Sequence, residues 1–105
     1  MDAALAEYEH LRLLGPQDRS QFLAHLLRLG PMGRYNRFAA VTSDAMIENY
    51  VARHFKATNF YVGFFDHDIL RGIVEMHCMD SMCRNVEMAF SVELGWRGRG
   101  LGRAL

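Results

Sequence analysis

The stretch Phe90-Ser91-Val92-Glu93-Leu94-Gly95-Trp96-Arg97-Gly98-Arg99-Gly100-Leu101-Gly102-Arg103-Ala104-Leu105 decides how this chain reads. Its first residues complete an alternating, strand-like run, and its last residues are apolar enough to begin a helix. Between them lies a glycine-rich turn. Gly98, Gly100 and Gly102 have no Cβ, so backbone N–H groups there can approach an anion, and a helix N-terminus adds the positive end of its dipole. Arg97, Arg99 and Arg103 contribute charge-assisted donors. Such a set suits a pyrophosphate. All twelve acidic residues lie at or before Glu93, so the C-terminus is a local anion site on a chain of formal net charge +0.

Other nucleotide motifs do not fit. No Gly-Lys-Ser/Thr follows the glycines, as a P-loop requires, and the dinucleotide fingerprint needs a parallel strand–turn–helix–strand unit. Upstream, the chain reads as antiparallel strands. Residues 86–92 place Val86, Met88, Phe90 and Val92 on one face, expected to pack, and Glu87, Ala89, Ser91 and Glu93 on a small, polar face. Residues 70–79 read as the preceding strand, and residues 59–65, apolar on both faces, as the one before. Asp66-His67-Asp68 supplies the turn between those two. Three strands with short links predict a meander.

Two amphipathic helices precede them. In residues 16–29, Phe22, Leu23, Leu26 and Leu27 share a face and Pro16 suits the first helical position; Gly30-Pro31-Met32-Gly33 then opens a loop to about residue 41. Thr42 or Ser43 caps a second helix carrying Met46, Ile47, Tyr50, Val51 and Phe55 on one side. A short first strand is expected within residues 3–14. The fold class is thus α/β (α+β): short first strand, two helices, three-stranded antiparallel meander and the start of a helix.

This order, with Arg97, Gly100 and Gly102 matching Gln/Arg-x-x-Gly-x-Gly/Ala, resembles the GNAT superfamily of N-acetyltransferases. Leu14-Gly15-Pro16-Gln17-Asp18-Arg19 and residues 95–102 are similar to the branch with bacterial protein-lysine acetyltransferase domains. The resemblance implies the N-terminal half of the GNAT acyl-CoA N-acyltransferase fold. Residues 1–105 would be a single partial domain, ending within the helix of the pyrophosphate loop. It implies that Arg97, Gly98, Arg99, Gly100, Leu101 and Gly102 bind the pyrophosphate of acetyl-CoA, and that the backbones of Phe90, Ser91 and Val92 pair with pantetheine and thioester. Glu87 takes the position of a general base that deprotonates the amine acceptor, a small molecule or a protein lysine. The family domain continues with a fifth strand, another helix and a tyrosine that protonates the leaving thiolate. This chain alone is therefore expected to be inactive, the alternative being a non-catalytic acyl-CoA-binding or dimerising remnant. An edge strand left open predicts a homodimer. For the Arg-Gly run the bland reading is a flexible basic tail, and for Glu87 a solvated strand carboxylate.

Composition narrows the rest. Charged residues make up 23% and apolar or aromatic ones 50%, which fits a folded core. Zero net charge gives no reason to expect nucleic acid or an anionic membrane as partner, and no apolar run is long enough to span a bilayer. Two cysteines, Cys78 and Cys83, and the lack of a basic-then-apolar leader predict a reduced, cytoplasmic protein. No metal site is expected, because His77 and Cys78 face opposite ways on a strand. Met46, Met76, Met79 and Met88 are read as core, and the five histidines as too scattered for a triad.

Overall fold

Apolar side chains on both faces draw residues 60–66 into the interior of a sheet. In the computed structural model, which describes residues 10–96, β2 (Phe60–Asp66) lies between β1 (Leu11–Leu13) and β3 (Ile69–Cys78), and β3 pairs in turn with β4 (Val86–Val92). All three pairings are antiparallel, in the order β1-β2-β3-β4. The meander is present. His67 and Asp68, both at positive φ (49° and 64°), make the turn whose twist matches a hairpin.

Helices cover one face of this sheet: α1 (Arg19–Arg28), α2 (Pro31–Phe38) and α3 (Asp44–His54). Pro16 opens a 3-10 turn, Pro16–Asp18, that leads into α1. That turn is knit by the buried Asp18, which accepts two bonds of 2.9 Å from the Arg12 guanidinium and one of 2.8 Å from the Gly15 N–H. Ser43 is the cap of α3, its Oγ accepting the Met46 N–H at 3.2 Å. Phe22 and Leu26 from α1, Ile47 and Val51 from α3, and Tyr61, Phe65, Leu70 and Ile73 from the sheet form one core. Each such side chain withdrawn from water contributes about 1.5–3 kcal/mol. Gly63 lies within this layer, where an added Cβ would come 2.6 Å from Leu70 Cδ1 and 2.7 Å from Leu14 Cδ1. Its bare backbone lets those leucines meet above β2.

Four expectations are corrected. Residues 31–38 are not loop but the helix α2, which has no apolar stripe: only Gly33 is buried. Phe38 at its end packs against the core, and guanidinium bonds hold the rest, with Arg34 donating to the carbonyls of Leu27, Leu29 and Thr42 and to Asp44. Periodicity cannot detect such a helix. Second, the faces of β4 are reversed. The helices lie against the polar side, so Ser91 and Glu93 are buried, while Val86, Met88 and Phe90 are 46%, 70% and 46% exposed and only Val92 is covered. Third, Met46 and Met79 are exposed for the same reason: neither faces the single core. Fourth, Cys78 and Cys83 are joined in a disulfide. Asp80 folds the intervening turn by accepting the N–H groups of Met82, Arg84 and Asn85, and the two Cα atoms come within 4.8 Å. Among the described residues no helix is long and apolar enough to cross a membrane.

Candidate functional site

Where α2 and α3 overhang the far ends of β3 and β4, they leave a cleft of about 630 Å³, lined by Arg37, Tyr50, His54, His77, Glu87 and Phe90 among others. Its floor is a buried carboxylate. Glu75, 0% exposed, accepts Arg37 Nε at 2.9 Å and Nη2 at 2.8 Å, the Tyr50 hydroxyl at 2.6 Å and a bond of 3.0 Å from His77 Nε2. Burial pushes this carboxyl up, but the bonds from His77, Arg37 and Tyr50 outweigh it and hold it at about 2. Tyr50 moves the opposite way: burial first, then the charge of Glu75, raises its phenol well above the usual value.

The partners of His77 settle its tautomer. Asn59 Oδ1 accepts the Cys78 N–H at 3.0 Å, which fixes the amide, so Asn59 Nδ2 donates to the His54 carbonyl and to His77 Nδ1 at 3.1 Å. With Nδ1 accepting, the neutral ring carries its hydrogen on Nε2 and gives it to Glu75. His77, Tyr50 and Arg37 are therefore all committed to the floor.

Two titratable groups in the cleft are not so committed. Glu87 is exposed, is the ladder partner of His77, and its carboxylate makes no hydrogen bond or ion pair among the described residues. The His54 ring rests on Tyr50 with centroids 4.9 Å apart, and burial lowers its pKa, helped by the charges of Lys56, Arg53 and Arg37. A carboxylate and an imidazole facing a half-open cleft can each take a proton from an incoming group. His54 escaped the sequence reading because a histidine in the last turn of an amphipathic helix looks like an ordinary C-terminal residue.

A second polar cluster lies where β4 ends. Ser91 Oγ is 2.8 Å from His25 Nε2, His25 Nδ1 is 3.0 Å from Glu93 Oε2, and Arg28 Nε and Arg71 Nη1 hold Glu93 Oε1 at 2.9 and 2.8 Å. Burial raises the Glu93 carboxyl, and the bonds from His25, Arg28 and Arg71 overcome this to bring it to about 2. The expectation that no histidine joins a triad is thus wrong in connectivity. It survives in chemistry: His25 is 0% and Ser91 6% exposed, so no substrate reaches the hydroxyl. The cluster instead ties the last turn of β4 to α1.

The residues expected to act together are partly gathered. Glu87 and Phe90 line the cleft; Ser91 and Val92 are buried at the end of the same strand. β4 is the last strand in the sheet order, so among the described residues no strand lies along its other edge. Arg97, Gly98, Arg99, Gly100, Leu101 and Gly102 lie outside the described residues. Among the described residues no three metal-ligating side chains converge.

The same architecture occurs in solved structures. The chain is similar to the GNAT domain of S. lividans PAT, with TM-score 0.65 and 16% identity over 90% of this chain and 58% of that one. It is similar to an aminoglycoside 6'-N-acetyltransferase complexed with coenzyme A (TM-score 0.60, 16% identity, 89% of this chain and 48% of that chain). It is also similar to PaiA N-acetyltransferase from Thermoplasma acidophilum in complex with coenzyme A (TM-score 0.58, 13% identity, 90% and 66%). No family model and no curated protein sequence matches the chain. The fold is that of GNAT acetyltransferases, and the chain spans 58% and 48% of the first two structures named.

Proposed function

We propose that this chain forms the acceptor cleft and the thioester-facing strand of an acetyl-CoA-dependent N-acetyltransferase acting on a primary amine, with protein lysine among the candidate acceptors. The observation that carries the reading is Glu87: an uncommitted carboxylate inside the cleft, on the edge strand of a fold shared with coenzyme A-bound acetyltransferases. Acetyl-CoA supplies the activated acyl group. The open edge of β4 suits an extended pantetheine arm, with Phe90, Ser91 and Val92 offering backbone groups, and the strand leads directly into Arg97, Gly98, Arg99, Gly100, Leu101 and Gly102 for the pyrophosphate. Glu87 accepts the proton that the amine sheds as the C–N bond forms and the C–S bond breaks. Arg37, Tyr50 and His77 hold the floor on which the acceptor rests. A cytoplasmic location goes with this reading, as the setting of an acetyl-CoA consumer.

A second reading rests on the open sheet face, where Phe60, Val86, Met88 and Phe90 are between 46% and 70% exposed. It makes the chain a homodimerising, non-catalytic acyl-CoA-binding module. Release of free CoA thiol from acetyl-CoA by a complete acetyltransferase domain carrying this segment, followed with and without a primary amine, separates the two. Amine-dependent release that falls in Glu87→Gln supports the transferase; binding of CoA with no release on any amine supports the module.

A further inference from the structure

The charge inventory of the cleft restricts what the acceptor is. Arg37 is matched by Glu75, to which it donates two bonds, so the floor is electrically neutral. Glu87 then adds one negative charge that no described residue pairs. Around it are Met79 and the rings of Tyr50 and His54, with Met88 and Phe90, whose side chains stand on the opposite face of β4, at its edge. Among the described residues no other carboxylate lines the cleft, and the C-terminal turn of α3 brings Arg53 near His54, with Lys56 just beyond.

We infer that the acceptor carries a single ammonium on an apolar body, and that the cleft rejects amines with a second positive charge. This deepens the acetyltransferase reading of the same cleft and rests on it for the fate of the amine. One ammonium pairs with Glu87 while its hydrocarbon displaces water from methionine and aromatic surface. A second ammonium would leave water with no carboxylate to receive it, and toward α3 it meets cations. Two sources present this chemistry, a free arylalkylamine and a lysine side chain on a polypeptide.

The test reads binding, not turnover. The chain is labelled at its methionine methyl groups and titrated, at one ionic strength, with phenethylamine, Nα-acetyl-lysine methylamide and spermidine. The monoamines are expected to shift Met79 and to bind at least about tenfold more tightly than spermidine. The tighter of the two monoamines identifies the source. In Glu87→Gln the monoamines lose that advantage, and in Glu87→Lys they cease to bind while the core methyl spectrum stays dispersed. Spermidine binding as tightly as the monoamines, no shift with any amine, or a preference untouched in both variants overturns the inference. Transfer is scored separately with acetyl-CoA in a complete acetyltransferase domain that carries this segment. Monoamine binding without acetylation defeats the transferase reading alone, whereas acetylation of spermidine in preference defeats this inference alone.

Discussion

His77 and Glu87 are ladder partners on β3 and β4, yet their chemical states differ: the imidazole is bonded at both nitrogens, and the carboxylate is bonded to nothing described. Two groups side by side thus divide into a fixed support and an available base. In a complete acetyltransferase domain carrying this segment, Glu87→Gln is expected to lower the rate of acetyl transfer by about 10²- to 10⁴-fold near neutral pH while changing stability by less than roughly 0.5 kcal/mol. Steady-state rates over about pH 6 to 9 check this. Unchanged rates would leave His54 as the remaining uncommitted base in the cleft.

Glu75 should make stability depend on acid. Its folded pKa of about 2 lies below the reference 4.5, so its contribution is present above about pH 4.5 and is lost as pH falls through about 2. Glu75→Gln leaves the Arg37 guanidinium largely buried without its counter-charge, at a cost of roughly 3–5 kcal/mol near pH 7. Denaturant melts of both proteins should converge as pH falls towards 2. Parallel curves at every pH would exclude Glu75 as the source.

Gly63 and Gly30 offer a matched pair. Gly63→Ala forces the Leu14 and Leu70 methyl groups aside and is expected to cost about 1–3 kcal/mol. Gly30→Ala meets nothing within 4 Å and should change stability by no more than roughly 1 kcal/mol. Equal melting temperatures for the two variants would mean that the leucines do not close over β2.

The open face of the sheet bears on assembly. Phe60, Val86, Met88 and Phe90 present contiguous apolar surface, and we expect light scattering at micromolar concentration to give twice the 12.1 kDa chain mass. Met88→Lys, at a site 70% exposed, should return the chain to monomer without loss of helix signal. A monomer in the unsubstituted chain would refute dimerisation through this face.

Much of the fold was legible because its elements follow simple periods. Phe22 and Leu26 on α1, Ile47 and Val51 on α3, and the strands at residues 60–66, 69–78 and 86–92 all announce themselves by spacing. What spacing cannot carry is which side of a strand the helices choose. Ser91 and Glu93 look solvated in sequence, and they are buried because His25, Arg28 and Arg71, far away in the chain, supply the bonds. The same holds for the cleft: Glu87 was found from the resemblance of its strand, whereas the Arg37–Glu75–Tyr50–His77 floor joins three segments and leaves no local pattern.

The helix α2 has one more implication. Its place is fixed by arginine forks on main-chain carbonyls and on Glu75, and it reaches the shared oily interior through Phe38 at its last position. One wall of the cleft is therefore an interchangeable part. Residues along α2, Asn36 among them, can be rewritten to admit a different guest while the scaffold beneath keeps its cohesion, provided Arg34, Arg37 and Phe38 are retained. Recognition and folding are assigned here to separate sets of atoms, and a lineage or an engineer can retune the first without reopening the second.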